Sequence, residues 1–287
     1  MKHAAFLSMD TLDGFVSDDE LAIDPLREYG WNVTTVSWRQ PEHWSRFDMV
    51  IIRTPWDYHH DAQKFLQVLD TITTSGTSLQ NTIELVKWNI QKTYLRDLQQ
   101  KSNHIVPTLW CEAGTSAALV ESFFDELHSD EIILKPVVSA NADNTFRLAK
   151  NNGVLLFDVL ERTFESRPYM VQPFMRNIVS EGEYSLFYFG GEYSHAILKT
   201  PKRGDFRVQE EHGGIITPVK ADASFVRDGE KVIRSLDQIP LYARVDFVRD
   251  DENEFAVMEV ELIEPALYFR MDSSSAKRFA RVVHGWR

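Results

Sequence analysis

The stretch EFAVMEVELIEPALYF, residues 254–269, combines the apolar character of a buried strand with glutamates inside it. Alternate side chains of a strand share a face, so Phe255, Val257, Glu259 and Glu261 are predicted to point one way. Both faces begin with apolar residues, which predicts an interior strand covered on both sides. Because burying an unpaired carboxylate is unfavourable, the two glutamates indicate a cationic partner at this strand.

Two more charged residues interrupt apolar strands. LYARVDFV (241–248) carries Asp246, and EIILKPVV (131–138) carries Lys135. A loop of even length between the last two strands would put Asp246 on the face of Glu259. Three converging carboxylates cannot all stay ionised in a dry site without cations. Mg²⁺ prefers oxygen ligands and usually enters with nucleotide phosphates, for which a facing lysine is a suitable partner.

Two other interpretations of these charges stay open at this point. The first is a buried salt-bridge network of Lys135, Arg244 and the acids. The second is a glycosidase-like carboxylate pair, which would leave Lys135 and a nearby basic loop without a role.

The first part of the chain alternates strands and helices. Buried strands are predicted at HAAFLSM (3–9) and DMVIIRT (48–54), with WNVTTVSW (31–38) between them, and helix-like stretches separate them. This alternation predicts a parallel sheet covered on both faces, in a first α/β domain of roughly 80 residues.

RTPWDYHH (53–60) follows the carboxyl end of the third strand, the edge at which open α/β sheets bind ligands. The functional interpretation is a small-molecule pocket in which Arg53 clamps a carboxylate, together with Trp56, Asp57 and Tyr58. The alternative is a proline turn with an aromatic anchor and a capping aspartate.

The remainder of the chain is predicted to be antiparallel sheet with helices, so the class is α/β (α+β). EYSLFYFGGEYSHAILKT (183–200) is a hairpin in which Gly190 and Gly191 supply the positive φ angles of a tight turn. WNIQKTYLRDLQQ (88–100) is predicted to be one helix, and NTFRLAK (144–150) is predicted to pair with the strand at 131–138.

A basic, glycine-bearing segment follows the hairpin, HAILKTPKRGDFRVQEEHGG (195–214). Lys199 and Arg207 belong to it. One interpretation is a lid that brings cations to a phosphoryl group in transfer. The other is a solvated loop.

Composition limits the partners. The net charge of −12 argues against non-specific binding of nucleic acid. The single cysteine, Cys111, excludes an intrachain disulfide, and no stretch approaches the roughly 20 apolar residues of a membrane helix. We therefore expect a soluble cytoplasmic protein that binds neither nucleic acid nor membrane.

These segments, in this order, resemble the ATP-grasp superfamily and, within it, the prokaryotic glutathione-synthetase-type ATP-binding module. RTPWDY, GEYSLFYFGGEYSHAILKTPKRGDFRVQ and EVELIEPALYF are similar to segments of the O-ureido-D-serine cyclo-ligases of cycloserine biosynthesis. The resemblance covers essentially the whole chain. It implies a pre-ATP-grasp α/β domain at 1–85, a central lid subdomain at 86–168 and a C-terminal subdomain with the metal strands at 169–287.

The resemblance also implies a nucleotide site. WNIQKTYL and EIILKP match the two nucleotide lysines, Lys92 and Lys135. SEGE resembles the ribose contact, with Glu181 favoured over Glu183. The segment YMVQPFM resembles the hinge that holds adenine, formed by Gln172, Pro173 and Phe174.

For the reaction itself, Lys199 and Arg207 match the cations near the γ-phosphate and the reacting carboxylate. The resemblance implies ATP and Mg²⁺, with Mn²⁺ as the alternative ion. The implied metal ligands are Asp246, Glu259 and Glu261.

One segment departs from the family pattern. The loop after LKP, VVSANADNTFR (137–147), has no glycine where the family usually has a glycine-rich cover for the phosphates. Ser139, Ala140 and Asn141 are small and can still offer backbone N–H groups, and asparagine tolerates positive φ better than most residues.

The reaction implied by the resemblance starts with attack of a substrate carboxylate on the γ-phosphate, giving an acylphosphate and ADP. A nitrogen nucleophile then displaces phosphate. We rank a carboxylate–amine ligase for an amino-acid-like substrate first and an intramolecular cyclo-ligase second. A nucleotide-binding regulatory module without turnover is the alternative from another class. Related ligases commonly assemble as homodimers or homotetramers.

Overall fold

The computed structural model describes residues 1–150 and 156–286, and its strands form three separate sheets. The first sheet is entirely parallel, in the order β2-β1-β3-β4, as the alternation of strands and helices predicted. The short fourth strand was not predicted. The strands of this sheet are β1 (Lys2–Ser8), β2 (Trp31–Ser37), β3 (Met49–Thr54) and β4 (Ser78–Gln80).

The second sheet is antiparallel, in the order β5-β8-β6-β7. The hairpin predicted between 131–138 and 144–150 is confirmed by the pairing of β6 with β7. β8 pairs with both β5 and β6, so it belongs to this central sheet although the predicted subdomain limit at 168/169 precedes it. The strands are β5 (Leu109–Cys111), β6 (Glu131–Pro136), β7 (Phe146–Ala149) and β8 (Tyr169–Pro173).

The third sheet is antiparallel, in the order β11-β10-β9-β12-β13. Its central hairpin turns at Gly190 and Gly191, whose φ angles of 60° and 82° favour glycine, as predicted. The strands are β9 (Glu183–Phe189), β10 (Glu192–Thr200), β11 (Ile215–Val219), β12 (Tyr242–Arg249) and β13 (Phe255–Glu261).

Helices connect and cover the sheets. They are α1 (Ile23–Glu28), α2 (Ala62–Thr74), α3 (Ile83–Asn89), α4 (Tyr94–Gln100), α5 (Ala117–Glu126), α6 (Phe157–Phe164), α7 (Asn177–Ser180), α8 (Ala223–Arg234) and α9 (Ser275–Gly285). Short 3₁₀ helices lie at Asp19–Ala22, Trp44–Arg46, Tyr58–His60, Glu210–His212 and Phe269–Met271. No helix in the described ranges is both long and apolar enough to cross a membrane.

The predicted single helix over 88–100 is wrong. α3 ends at Asn89 and α4 begins at Tyr94, and Lys92 lies in the break between them. The backbone N–H of Lys92 donates to the carbonyl of Val137 at 2.8 Å. The break therefore lets the lysine side chain enter the space beneath the central sheet instead of lying on a helix surface.

A β-bulge corrects the predicted arrangement of the last strand. Phe247 pairs with Val257, but Asp246 pairs with Glu259, so Met258 is an extra residue in β13. Val257 consequently does not share the face of Glu259, contrary to the simple alternation. Five residues separate Arg249 from its partner Phe255, an odd loop that would have placed Asp246 opposite Met258. The bulge brings Glu259 opposite Asp246.

β13 is an edge strand, not the interior strand that its apolar faces predicted. The edge of β13 that faces away from β12 forms hydrogen bonds with residues of α3, of α4 and of the loop after α4. Val257 N–H donates to the carbonyl of His104 at 2.8 Å, and the side chains of Asn89 and Tyr94 bond the backbone at residues 260–262. These contacts satisfy the edge and fix the strand against the Lys92 segment.

One hydrophobic core joins the first sheet to the third. Phe6 of β1, Phe187 of β9 and Phe279 of α9 are fully or almost fully buried in the same cluster. The carboxyl edge of the parallel sheet is thereby held against the third sheet, next to the strands that carry the acidic residues.

Candidate active site

One cavity brings together residues of the second and third sheets with residues that follow β3 of the first sheet. Its lining includes residues of β6 and β8 from the second sheet, and of β9, β10, β12 and β13 from the third. The loop after β6, the segment 206–211 and the edge of the first sheet close it. Five basic and six acidic side chains line it: Lys92, Lys135, Lys199, Arg207, Arg244, Glu183, Glu211, Asp246, Glu259, Glu261 and Glu264.

Three of these acids converge on one point. Carboxylate oxygens of Asp246, Glu259 and Glu261 all lie within 4.8 Å of one another. The bulge at Met258 produces this convergence, because it puts Glu259 directly across from Asp246. Three hard oxygen donors at this spacing fit Mg²⁺, which takes carboxylate oxygens. The predicted metal ligands are therefore brought together by the structure.

Basic side chains surround the acids. Arg244 bonds Asp246 at 2.9 Å and also contacts Glu261. Lys199 lies 3.3 Å from Asp246, and Lys92 pairs with Glu259. The buried salt-bridge network considered from the sequence thus exists, but Arg244, Lys199 and Lys92 form it. It lies in the cavity wall, where its members face the open space.

The surroundings of the three acids shift their pKa values in different directions. Burial opposes ionisation of Asp246, but Arg244 and Lys199 outweigh it and lower its pKa to about 2. The pKa of Glu259 is also lowered, because Lys92 and Lys135 outweigh its burial. Burial raises the pKa of Glu261 to about 7, since Arg244 compensates only in part and Glu259 repels a second negative charge. A cation at this point would favour the ionised form of all three.

Both predicted nucleotide lysines, Lys92 and Lys135, line the cavity. Burial lowers the pKa of Lys135 on β6 to about 8, against the attraction of Glu259. Lys92 keeps a raised pKa because Glu259 outweighs its burial. Its Nζ also donates to the carbonyl of Ser139 at 3.1 Å, which ties the lysine to the loop after β6.

The glycine-free loop adopts the geometry that a glycine-rich loop would provide. Asn141, Ala142 and Asn144 have φ angles of 53°, 57° and 51°. The expectation that asparagine would supply positive φ is confirmed, and Ala142 adds a residue for which this region is unfavourable by about 1–2 kcal/mol. Residues 139–142 line the cavity. Asp143 approaches His59 of the first domain at 3.9 Å.

The end of β8 and the residue that follows it form another part of the lining. Gln172, Pro173 and Phe174 line the cavity, as the hinge prediction requires, and the Gln172 amide donates to Thr108 at 2.9 Å. The guanidinium of Arg147 stacks on Phe174 at 3.6 Å, and Phe206 packs edge-on against the same ring. An apolar and aromatic slot of this kind accommodates a planar base.

Of the two glutamates considered for the ribose contact, Glu183 lines the cavity and the favoured Glu181 does not. Glu181 accepts hydrogen bonds from Tyr184 and Arg249 and is not among the cavity-lining residues. Glu183 lines the cavity and pairs with Lys199. Glu183 is the first residue of β9 and shares the face of Ser185, which pairs with Asp246, whereas Glu181 lies before the strand at the end of α7.

Arg207 lies at the cavity on the loop 201–214 between β10 and β11, a loop that is called the lid below. Arg207 bonds Asp205 at 2.9 Å, and this contact holds the pKa of the Asp205 carboxyl below its usual range. The Arg207 side chain is 39% exposed, unlike the buried Lys199. Arg270 anchors the lid through Glu210 at 2.6 Å. Both predicted catalytic cations therefore line the cavity, one on a fixed strand and one on a loop.

The first-domain residues divide into two groups. Trp56 and Tyr58 line the cavity, whereas Arg53 and Asp57 do not. Arg53 is completely buried and bonds Asp19 at 3.0 Å and the carbonyl of Pro265 at 2.9 Å. The interpretation of Arg53 as a carboxylate clamp is therefore wrong in this conformation, because its guanidinium is occupied by internal partners.

Asp57 likewise has a structural partner on each oxygen. Trp38 Nε1 donates to it at 2.7 Å and Arg39 at 2.6 Å. Sequence reasoning did not name Glu264, and it gave Glu183 only as the less favoured of two candidates for the ribose contact. The signal for Glu264 was present, since it is a third acid in the same apolar stretch as Glu259 and Glu261.

Comparison with known proteins gives consistent matches along the chain. The family model for the prokaryotic glutathione synthetase ATP-grasp domain matches residues 96–258. The model for the N-terminal domain of the D-cycloserine synthetase DcsG matches residues 4–81. The cycloserine biosynthesis protein DcsG of Streptomyces lavendulae is 27% identical over 257 residues, which cover 84% of this chain and 83% of that protein.

Solved structures share the fold. The crystal structure of D-cycloserine synthetase DcsG matches with a TM-score of 0.85 at 24% identity and covers 99% of both chains. D-alanine–D-alanine ligase from Bacillus anthracis matches with a TM-score of 0.70 at 12% identity, covering 99% of this chain and 96% of that one. The arrangement of one parallel and two antiparallel sheets is therefore an ATP-grasp fold with an N-terminal α/β domain.

Proposed function

The chain belongs to the ATP-grasp family of the prokaryotic glutathione synthetase type, and from that premise we propose which bond it forms. Members of this family are ATP-dependent ligases that form carbon–nitrogen bonds, and this chain is one of them. The proposed reaction joins the carboxylate of an amino-acid-like small molecule to a nitrogen nucleophile through an acylphosphate, with release of ADP and phosphate.

The observation that carries the proposal is the composition of the acidic wall. Asp246, Glu259 and Glu261 converge within 4.8 Å, and Lys199 lies in the same wall. A site that only holds a nucleotide base has little use for such a cluster. A site that transfers a phosphoryl group needs it, because charge spreads over the phosphoryl oxygens in the transition state.

The proposed nucleotide position follows from the two ends of the cavity. The slot of Gln172, Pro173 and Phe174 would hold the base, and Lys92 and Lys135 would contact the phosphates as point charges. Asp246, Glu259 and Glu261 would hold Mg²⁺, which would supply positive charge to the phosphate group during its transfer. For the ribose, we keep Glu181 as the predicted contact and add Glu183, which lines the cavity.

The remaining cations have a role in the first step. A substrate carboxylate attacks the γ-phosphorus, the bond to the β-γ bridging oxygen breaks, and an acylphosphate and ADP result. Lys199 is fixed on β10 and Arg207 reaches in from the lid, so both can face the charge that develops. Nitrogen attack on the acyl carbon then expels phosphate. The chain contributes position and charge, and no protein nucleophile is needed.

A second candidate is ring closure within one substrate. The match of residues 4–81 to the N-terminal domain of D-cycloserine synthetase favours it, because that domain contributes Trp56 and Tyr58 to the cavity. A substrate carrying both the carboxylate and the nitrogen nucleophile, such as an O-ureido amino acid, would then need no second substrate. We propose a cytoplasmic protein, with a homodimer or homotetramer as the expected assembly.

The test is ADP release with Mg-ATP and hydroxylamine across L- and D-amino acids, dipeptides and ureido-amino acids. Hydroxylamine intercepts an acylphosphate, so acid-dependent ADP together with a hydroxamate is the expected result. ADP formation with a ureido acid in the absence of hydroxylamine would favour ring closure. Binding of Mg-ATP without acid-dependent ADP for any member of the panel would contradict the proposed reaction and favour a regulatory nucleotide-binding module.

A further inference from the structure

Glu264 is a buried carboxylate that lines the cavity without a partner. The residue is only 8% exposed. Among residues 1–150 and 156–286, its recorded hydrogen bond involves the backbone carbonyl, which accepts from Trp56, and none involves its carboxylate. The other buried acids of this cavity are each paired with a basic side chain. Because an unpaired buried carboxylate is unfavourable, Glu264 is protonated in the empty cavity or is ionised opposite a cation supplied by a ligand.

The position of Glu264 is rigidly fixed. Three consecutive carbonyls, at residues 263–265, accept hydrogen bonds from Tyr242 at 2.9 Å, Trp56 Nε1 at 2.8 Å and Arg53 at 2.9 Å. Such anchoring leaves the side chain little freedom to leave the cavity for water. It also gives the buried Arg53 a role, which is to hold the segment that presents the acid.

Lys92 and Arg244 attract the Glu264 carboxylate across the cavity but form no hydrogen bond or ion pair with it, since they pair with Glu259, Asp246 and Glu261. Trp56, Tyr58 and Ala266 lie on the same part of the wall. Tyr268, two residues beyond Ala266, also lines the cavity and has φ 46° and ψ 46°, a strained conformation for an aromatic residue. These side chains can pack against a small organic group, and Glu264 is the acid among them.

We propose that Glu264 binds the ammonium group of the substrate, so that the ligase selects acids that carry a free amino group. The inference rests on the proposed function, because the carboxylate of the same molecule is taken to lie at Lys199 and Arg207. The substrate would thus be held as a zwitterion, with its negative end at the lid and its positive end at the first domain.

The protonation behaviour of Glu264 supports this position. Burial, followed by repulsion from Glu261, raises the pKa of Glu264 to about 8. An ammonium group in contact with the carboxylate would stabilise the ionised form and reverse this shift.

The experiment pairs each amino acid with its des-amino acid in the ADP-release assay: L- and D-serine with 3-hydroxypropanoate, alanine with propanoate, and O-ureido-D-serine with 3-(ureidooxy)propanoate. For the wild-type protein we expect kcat/KM to favour the amino acid by about 10- to 100-fold, mainly through KM, as for loss of one charge-assisted hydrogen bond. For Glu264→Gln we expect this preference to shrink to about threefold, with kcat/KM for the des-amino acid nearly unchanged.

A matched control is Glu211→Gln, which removes the same charge from the lid side of the cavity and should leave the preference for the amino group intact. Equal loss of kcat/KM for both members of a pair in Glu264→Gln would overturn the inference, since it would indicate a role in the fold or at the metal. Thermal unfolding of the variant checks the fold.

Calorimetry with Mg²⁺ and the non-hydrolysable AMPPNP separates this inference from the proposed function. The amino acid should bind the wild-type protein more tightly than its des-amino acid, and Glu264→Gln should remove the difference. If no amino acid of the panel binds better than its counterpart, the inference is wrong, whether or not ADP is released. Binding that requires Glu264 without ADP release would instead contradict only the acylphosphate reaction.

Discussion

Two regions of this molecule bury charged side chains, and they do so in different ways. On the wall of β12 and β13, Asp246 contacts both Arg244 and Lys199, and Arg244 also contacts Glu261, so partners are shared within an open cavity. At the edge of the first sheet, Arg53 is enclosed by Asp19 and backbone carbonyls away from the cavity. Shared partners facing a cavity can be exchanged for a ligand, whereas enclosed partners serve the fold.

The largest effect that would separate the two regions is expected for Glu259→Gln. This change removes one of three carboxylates that would hold Mg²⁺, and we expect kcat for ADP release to fall by about 10³-fold, because metal stabilisation of phosphoryl charge contributes several kcal/mol. Circular dichroism and the unfolding midpoint should change little. Glu254→Gln, an exposed glutamate just before β13, is the control and should retain activity. Retained turnover in Glu259→Gln would refute the metal assignment.

The first-sheet edge should respond in stability instead of turnover. Arg53→Met leaves Asp19 without its cation, and we expect the free energy of unfolding to fall by about 3 kcal/mol, as for breaking a buried ion pair. Urea denaturation measures this change. If Arg53 instead bound the substrate carboxylate, the variant would show a higher KM for the acid and an unchanged free energy of unfolding. That result would contradict the assignment of the first-sheet edge to the stability of the fold.

Arg207 tests the same comparison with a basic side chain that faces the cavity from a loop instead of from a strand. Neutralising it in Arg207→Gln should lower kcat by about 30- to 100-fold with KM for ATP nearly unchanged, as expected for one preorganised charge acting in the transition state. Steady-state kinetics at saturating ATP measure this. Arg203→Gln, on the same lid but not lining the cavity, is the matched control. A rise in KM for ATP alone would mean that Arg207 binds the ground state.

The smallest expected effect is a pH dependence at Lys135. Burial lowers the pKa of Lys135 to about 8, below the value of 10.5 for an unperturbed lysine. Between these values the unfolded chain binds the extra proton, so the contribution of this lysine to the free energy of unfolding is least favourable below pH 8 and improves as pH rises towards 10.5.

Affinity for the nucleotide should fall as pH rises, whereas the contribution of Lys135 to stability improves. Phosphate needs the charged lysine, so KM for ATP should rise by about three- to tenfold from pH 7.5 to 9.5 as Lys135 loses its proton. Lys135→Met should show a higher KM at pH 7.5 and a flatter profile over that range. It should also be more stable than the wild-type protein at pH 7.5. A wild-type profile as flat as that of the variant would contradict a phosphate contact.

The sequence predicted most of the elements and the acidic wall because those signals are local. Apolar runs interrupted by Asp246, Glu259 and Lys135 mark strands that face a polar site, and the structure brings these residues into one cavity. The fold class followed from the change from alternating strands and helices to consecutive strands, together with the resemblance of ordered segments to a known family.

What the sequence could not provide depended on distant partners. Arg53 and Asp19 are 34 positions apart, and nothing near either residue indicates that they pair. The break before α4 contains no proline or glycine, so the Lys92 segment reads as a continuous helix. Glu264 was overlooked for a related reason. Whether the carboxylate of Glu264 has a basic partner depends on residues of the surrounding sheets, which are distant from it in the sequence.

The extra residue in β13 has a consequence for the evolution of the chain's length. Met258 and Glu259 both line the cavity, because the bulge turns two consecutive side chains to one side. Removing Met258 would leave Glu259 across from Asp246 in a regular ladder. Deletion of Met258 would therefore keep the predicted metal ligands in their pairing positions and would change only the apolar side chain beside them. Two chains that differ by this one residue would hold the same ion beside cavity walls of different shape.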